Sequence, residues 1–127
     1  MSPPLEWESV PKGTQSLALS ITDPDVPHEF NFSRSFAHWL VYNIPADSDG
    51  LVEGASMTAR MPSGSQELNS DFVTFKIPGF GRGYGGPWPP NGPHRYVFTL
   101  FALKSQSIDL PQDADLVAFS QAILPVT

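Results

Sequence analysis

Tyr96-Val97-Phe98-Thr99-Leu100-Phe101-Ala102-Leu103 carries the strongest strand signal in the chain. Aromatic and β-branched side chains pack well on a pleated surface, and Pro93 before the run and Lys104-Ser105-Gln106 after it mark its ends. Working outward, Ser16-Leu17-Ala18-Leu19-Ser20-Ile21-Thr22 puts Leu17, Leu19 and Ile21 on one face, the period of a half-buried strand. His38-Trp39-Leu40-Val41-Tyr42-Asn43-Ile44 is denser and reads as a central strand covered on both faces. Phe72, Val73, Phe75 and Ile77 suggest a further strand ended by Pro78-Gly79, and Leu5-Glu6-Trp7-Glu8 a short edge strand. Asp47-Ser48-Asp49-Gly50 reads as a turn, and the Ser- and Gly-rich stretch 55–69 as a long exposed loop. Only 113–124 changes period: Leu116, Phe119 and Ile123 fall at helical spacing, with Asp113 placed to cap and Asp115 in the first turn. The reading is all-β and sandwich-like, with one small helix late in the chain.

Composition agrees and narrows the function. Fourteen prolines and ten glycines in 127 residues favour short strands joined by stiff loops, because proline is excluded from helix interiors and central strands. The length suits a single domain, 1–127, large enough to bury a core without staples. A net charge of -6 with seven scattered Lys and Arg excludes a nucleic-acid binder, which needs a basic face. No apolar stretch approaches the roughly 20 residues of a membrane span, so no stable membrane insertion is expected. Met1-Ser2-Pro3-Pro4 has no basic region or apolar core of a secretory signal, and the chain has no cysteine; both suit a cytoplasmic protein.

Two segments carry chemistry. One runs from Asp23-Pro24-Asp25-Val26-Pro27 to His38-Trp39-Leu40-Val41-Tyr42-Asn43-Ile44-Pro45. The other is Gly83-Tyr84-Gly85-Gly86-Pro87-Trp88-Pro89-Pro90-Asn91-Gly92-Pro93-His94-Arg95-Tyr96. Each joins a loop stiffened by Pro or Gly to a histidine that opens an apolar run. If the two runs lie side by side in a sheet, two histidines, an aspartate and backbone N–H groups converge as a small anion pocket. Taken alone, Asp23-Pro24-Asp25 is also ordinary turn punctuation, and the Gly/Pro loop also reads as a rigid hairpin connection. A carboxylate beside an anion makes sense if it bonds a histidine N–H or accepts the proton of a monoprotonated phosphate. Two His and Asp23 could instead ligate zinc or ferrous iron, but the close spacing of a metal motif is lacking. The Gly-rich loop lacks the Gly-Lys-Ser/Thr ending of a P-loop, and no serine sits in Gly-X-Ser-X-Gly. No metal and no cofactor is therefore expected.

Together these motifs, with Ser2-Pro3-Pro4-Leu5-Glu6-Trp7 and Gly13-Thr14-Gln15-Ser16-Leu17-Ala18-Leu19, resemble the phosphatidylethanolamine-binding protein family, in particular its prokaryotic, Raf-kinase-inhibitor-like branch. The resemblance covers nearly the whole chain in the family's order. It implies a Greek-key β-sandwich with an anion pocket at one end that accepts phosphate-like groups, phospholipid head groups or carboxylates. Carried over residue by residue, Asp23 and His38 match pocket residues of the first motif. Gly86, Pro87 and Pro90 match the second loop, and His94 and Tyr96 the segment after it. Tyr84 or Tyr96 would add a hydroxyl to the pocket. Asp25 and Pro27 would order the first loop, with Arg95 bracing Asp25. Trp88 stands where prokaryotic members often carry cysteine, so thiol chemistry is excluded and the rim is bulkier. Members of this type carry a further leading strand and a final strand, so the chain is expected to be short at both ends.

The resulting expectation is a non-catalytic binding protein for a small anionic ligand. The alternative is an inhibitor or regulator of a protease or kinase acting through the stretch 55–69 or the pocket rim; the resemblance is also compatible with a homodimer. A His/Asp hydrolase or metalloenzyme is the third reading, and it is not favoured.

Overall fold

Strand β2 (Ser16–Asp23) is the axis of the structure, with β3 (Phe36–Pro45) antiparallel on one side and β6 (Val97–Leu103) antiparallel on the other. With β5 (Gln66–Glu67) outside β3, the sheet order is β5-β3-β2-β6, and β1 (Leu5–Glu6) pairs with β4 (Gly50–Leu51) as a separate ribbon. The computed structural model describes residues 2–24, 36–71, 82–85 and 96–127. The segment Phe72 to Ile77, expected as a strand, lies outside the described residues.

Both faces of the four-stranded sheet are covered. On one, Leu17, Leu19, Ile21, Trp39, Val41 and Ile44 pack against Leu51 of the ribbon, flanked by Leu5 and Trp7. On the other, Ala18, Ala37, Leu40 and Leu103 meet Phe119 and Ile123 of helix α1 (Leu116–Ile123). Phe119 and Ile123 are four apart, so they stack on one helix face, and their full burial contributes about 1.5–3 kcal/mol each. Phe119 also meets Phe101 edge to face, with ring centroids 6.3 Å apart.

Several expectations change in detail. Residues Ser16 to Ile21 are all buried, so β2 is not half-buried: Ala18 and Ser20 are small enough for a second layer to close over the polar-looking face. The helix is capped by Asp115, whose Oδ1 accepts from Ala118 N at 3.0 Å, and not by Asp113. The stretch 55–69 is not wholly exposed, because β5 pairs with β3 and Ala55, Glu67 and Leu68 are buried. His38 does not open its strand but is its third residue. The runs led by His38 and Tyr96 are not neighbours either, since β2 separates them.

Two irregularities in the β2–β3 ladder decide which way side chains face. Ile21 pairs with Trp39 and Thr22 with Ala37, which leaves His38 as an extra residue on β3. Leu17 pairs with Ile44 and Leu19 with Val41, which inserts a second extra residue around Asn43, whose φ is 56°. Each bulge resets the two-residue alternation. Ala37 and Leu40 therefore share one core although three apart, as Val41 and Ile44 share the other. Asn43 is anchored where a ladder bond is missing: its Nδ2 donates to Ile108 O at 3.0 Å and its Oδ1 accepts from Ile108 N at 2.9 Å.

Candidate functional site

The described part of the site lies at one end of the three long strands. Asp23 ends β2 opposite Phe36, the first residue of β3. Tyr96 stands directly before β6, whose Val97 pairs with Thr22. Asp23, next after Thr22 on β2, therefore ends the central strand between β3 and β6. It is 3% exposed.

The bulge at His38 completes the cluster. Freed from the β2 ladder, His38 turns its main chain toward Gly85, whose N–H donates to His38 O at 2.9 Å. Its ring returns the contact, with Nδ1 2.8 Å from Gly85 O. A carbonyl oxygen only accepts, so Nδ1 carries the hydrogen, and Nε2 holds the lone pair of the neutral ring or a second hydrogen in the imidazolium. The ring is buried at 4% exposure. The Tyr96 ring meets it edge-on at 5.3 Å, and the Phe36 ring lies 4.9 Å away at a tilt of 52°.

Tyr96 is the most informative residue of the cluster. Its hydroxyl oxygen is buried and finds no hydrogen-bond partner among the described residues. Buried hydroxyls are satisfied in the great majority of cases, because leaving one unpaired costs about 1–3 kcal/mol. Burial raises the Tyr96 pKa above the ordinary phenol value, and the neighbouring Asp23 charge raises it further. The group is therefore held as a neutral O–H donor.

Tyr84 stands behind this cluster. Its ring meets Trp39 edge to face at 5.7 Å, so it belongs to the opposite core layer. Burial raises its pKa, and proximity to Tyr96 adds to the rise. The expected pocket residues Asp23, His38 and Tyr96 are thus brought together, with Tyr84 in the adjoining wall. Gly86, Pro87, Pro90 and His94 lie outside the described residues, as do the supporting Asp25, Pro27, Trp88 and Arg95.

Sequence reasoning missed the support of this wall. Glu67, 6% exposed, accepts from Trp39 Nε1 at 2.8 Å and Ser56 Oγ at 2.6 Å through Oε1, and from Met57 N at 2.8 Å through Oε2. Ser56 Oγ in turn accepts from Tyr84 N at 2.9 Å. One carboxylate thereby fixes the indole of Trp39 and, through Ser56, the chain entering Gly85. The only sequence signal was indirect: a buried tryptophan N–H needs an acceptor, and Glu67 precedes an apolar Leu68.

Residues 1–124 match the family model described as phosphatidylethanolamine-binding protein. A UPF0098 protein of Methanothermobacter thermautotrophicus is 45% identical over 103 residues, covering 81% of this chain and 60% of its own length. The UPF0098 protein YbhB of Escherichia coli is 38% identical over 116 residues, covering 90% of this chain and 66% of its own. Among solved structures, E. coli YbcL, described as a new member of the mammalian PEBP family, superposes with a TM-score of 0.80 at 30% identity, covering 97% of this chain and 73% of its own. The homologue CT736 of Chlamydia trachomatis gives 0.79 at 29% identity, covering 98% of this chain and 72% of its own. The chain thus spans about 60% of the length of the curated relatives it matches first. A more distant relative is the putative lipoprotein LppC of Mycobacterium tuberculosis, 34% identical over 125 residues. Among the described residues of this chain, no helix is long and apolar enough to cross a membrane.

Proposed function

The chain belongs to the phosphatidylethanolamine-binding protein family, and from that premise we propose that it is a non-catalytic binding protein whose pocket takes a small phosphate- or carboxylate-bearing ligand. The observation that carries this reading is the buried Tyr96 hydroxyl, without a partner among the described residues and set edge-on to the His38 ring beside Asp23. Tyr96 donates to the oxyanion. His38, its tautomer set by Gly85 O, offers Nε2 to a ligand hydroxyl when neutral or donates from it when protonated. Asp23 accepts a ligand proton, which favours a monoprotonated phosphate over a bare dianion. His94 and the loop residues Gly86, Pro87 and Pro90 are assigned to the same ligand by family resemblance. The role proposed is binding.

The test is a titration with inorganic phosphate followed on the imidazole NMR signals of His38 and His94. Saturable movement of both, weakened in Tyr96→Phe, is the expected result. Imidazole signals that stay still up to saturating phosphate would remove the reading.

The second reading is an inhibitor or regulator of a protease or kinase. It is supported by Met57, which is held at φ 61° by its N–H bond to Glu67 while remaining 52% exposed on the loop. A pull-down and protease assay with Met57→Ser as control separates it from ligand binding alone.

A further inference from the structure

An open cleft of about 630 Å³ is walled by Ser56, Met57, Arg60, Arg82 and Tyr84, with Glu53 also lining it. The chain has only seven Lys and Arg against thirteen Asp and Glu, so two guanidinium groups in one cleft reverse the overall charge balance. Arg82 is tethered by a main-chain carbonyl, and Arg60 approaches one more loosely. Arg82 Nε donates to Glu67 O at 3.1 Å, and Arg60 Nη2 lies 3.5 Å from Gly54 O. Neither forms an ion pair with a carboxylate among the described residues. The Arg82 bond uses only Nε, so both terminal nitrogens keep their donors.

The floor under these arginines is rigid. The Glu67 carboxylate holds Ser56 and Met57 through Oε1 and Oε2, and Ser56 Oγ receives the Tyr84 amide. Met57 is locked in a left-handed conformation, φ 61°, which costs a non-glycine residue about 1–3 kcal/mol unless its surroundings enforce it. Gly83 closes the wall at φ 87°, and a Cβ there would lie 2.7 Å from both Met57 Cγ and Ser56 Oγ. A strained turn, a contact only glycine allows and a carboxylate accepting three hydrogen bonds all serve to place this wall.

We propose that the cleft is a second oxyanion site, separate from the His38–Tyr96 pocket, in which Arg60 and Arg82 clamp a phosphate or carboxylate group. A planar guanidinium matches such groups by paired N–H bonds, and a tether at Nε pre-orients the terminal pair. Tyr84 and Met57 supply apolar surface for whatever the oxyanion is attached to. Glu53 opposes the anion and sets the upper limit of affinity. Because Tyr84 lines this cleft and backs the first pocket, the two sites share a wall, but the second does not depend on the first being occupied.

The test follows the Arg60 and Arg82 Nε–Hε NMR signals during separate titrations with inorganic phosphate and with acetate. Saturable shifts of both signals are expected, with the Arg82 response roughly fivefold weaker in Arg60→Gln, as loss of one charge-assisted contact implies. Glu53→Gln is expected to tighten binding by roughly twofold, since it removes a like charge at the rim of the cleft. The response should persist in Tyr96→Phe, which separates this site from the first pocket. Saturation by both anions assigns a general oxyanion site, and saturation by phosphate alone assigns a phosphate-selective one. Linear, unsaturable shifts with both anions, or an Arg82 response unchanged by Arg60→Gln, overturn the proposal.

Discussion

His38 and Gly85 bond each other twice: Gly85 N–H to His38 O at 2.9 Å, and His38 Nδ1–H to Gly85 O at 2.8 Å. The pair ties the Gly-rich segment to the bulge in β3, so the histidine holds this segment as well as stacking its ring against Phe36 and Tyr96. His38→Ala should therefore do two things at once. It leaves Gly85 O without its donor, costing about 1–3 kcal/mol, and it abolishes phosphate binding. His38→Asn keeps an N–H near the Nδ1 position, so it should retain most of the stability yet still lose the ligand. Urea unfolding and phosphate titration of both variants check this; equal stability loss in the two would show that the Nδ1 contact is not what matters.

Tyr96→Phe should split stability from binding in the opposite sense. The hydroxyl has no partner among the described residues, so removing it gives unchanged or slightly higher stability, by up to about 1 kcal/mol. Ligand affinity should fall by roughly tenfold, the worth of one good donor to an anion. Calorimetric unfolding and isothermal titration measure the two effects separately.

The raised phenol pKa values of Tyr84 and Tyr96 predict alkaline sensitivity. As pH rises, the unfolded chain gives up these protons first, so deprotonation favours unfolding. The stability they contribute is fully present below the ordinary phenol value of about 10 and is lost as pH rises through the higher folded values. Urea midpoints measured from pH 8 to 12 should be flat and then fall, and Tyr96→Phe should flatten the fall.

Glu67→Gln tests the support behind the wall. A carboxylate accepts from Trp39, Ser56 and Met57, whereas an amide turns one of its two acceptor atoms into a donor facing an N–H or O–H. Loss of about 2–3 kcal/mol is expected, read from the urea midpoint. The Tyr84 and Gly85 amide signals should shift with it, because Ser56 passes the disturbance on.

Local pattern determined a good deal of this protein. The alternation of Leu17, Leu19 and Ile21, the density of 38–44 and 96–103, and the four-residue step from Phe119 to Ile123 placed the three long strands and the helix of the described residues, because burial of one face imposes a period that a short window records. The motifs likewise singled out Asp23, His38 and Tyr96, since their chemistry is written in side-chain type. What only the tertiary structure decided was how these residues meet. The insertion of β2 between the two runs put Asp23 at the centre, and the bulge at His38 turned its backbone away from the ladder and toward Gly85. Glu67 was invisible for the same reason, its partners Trp39 and Ser56 lying 28 and 11 residues away. Period and residue type are properties of a few neighbouring residues, whereas register, bulges and the partner of a buried carboxylate are set by contacts between distant ones.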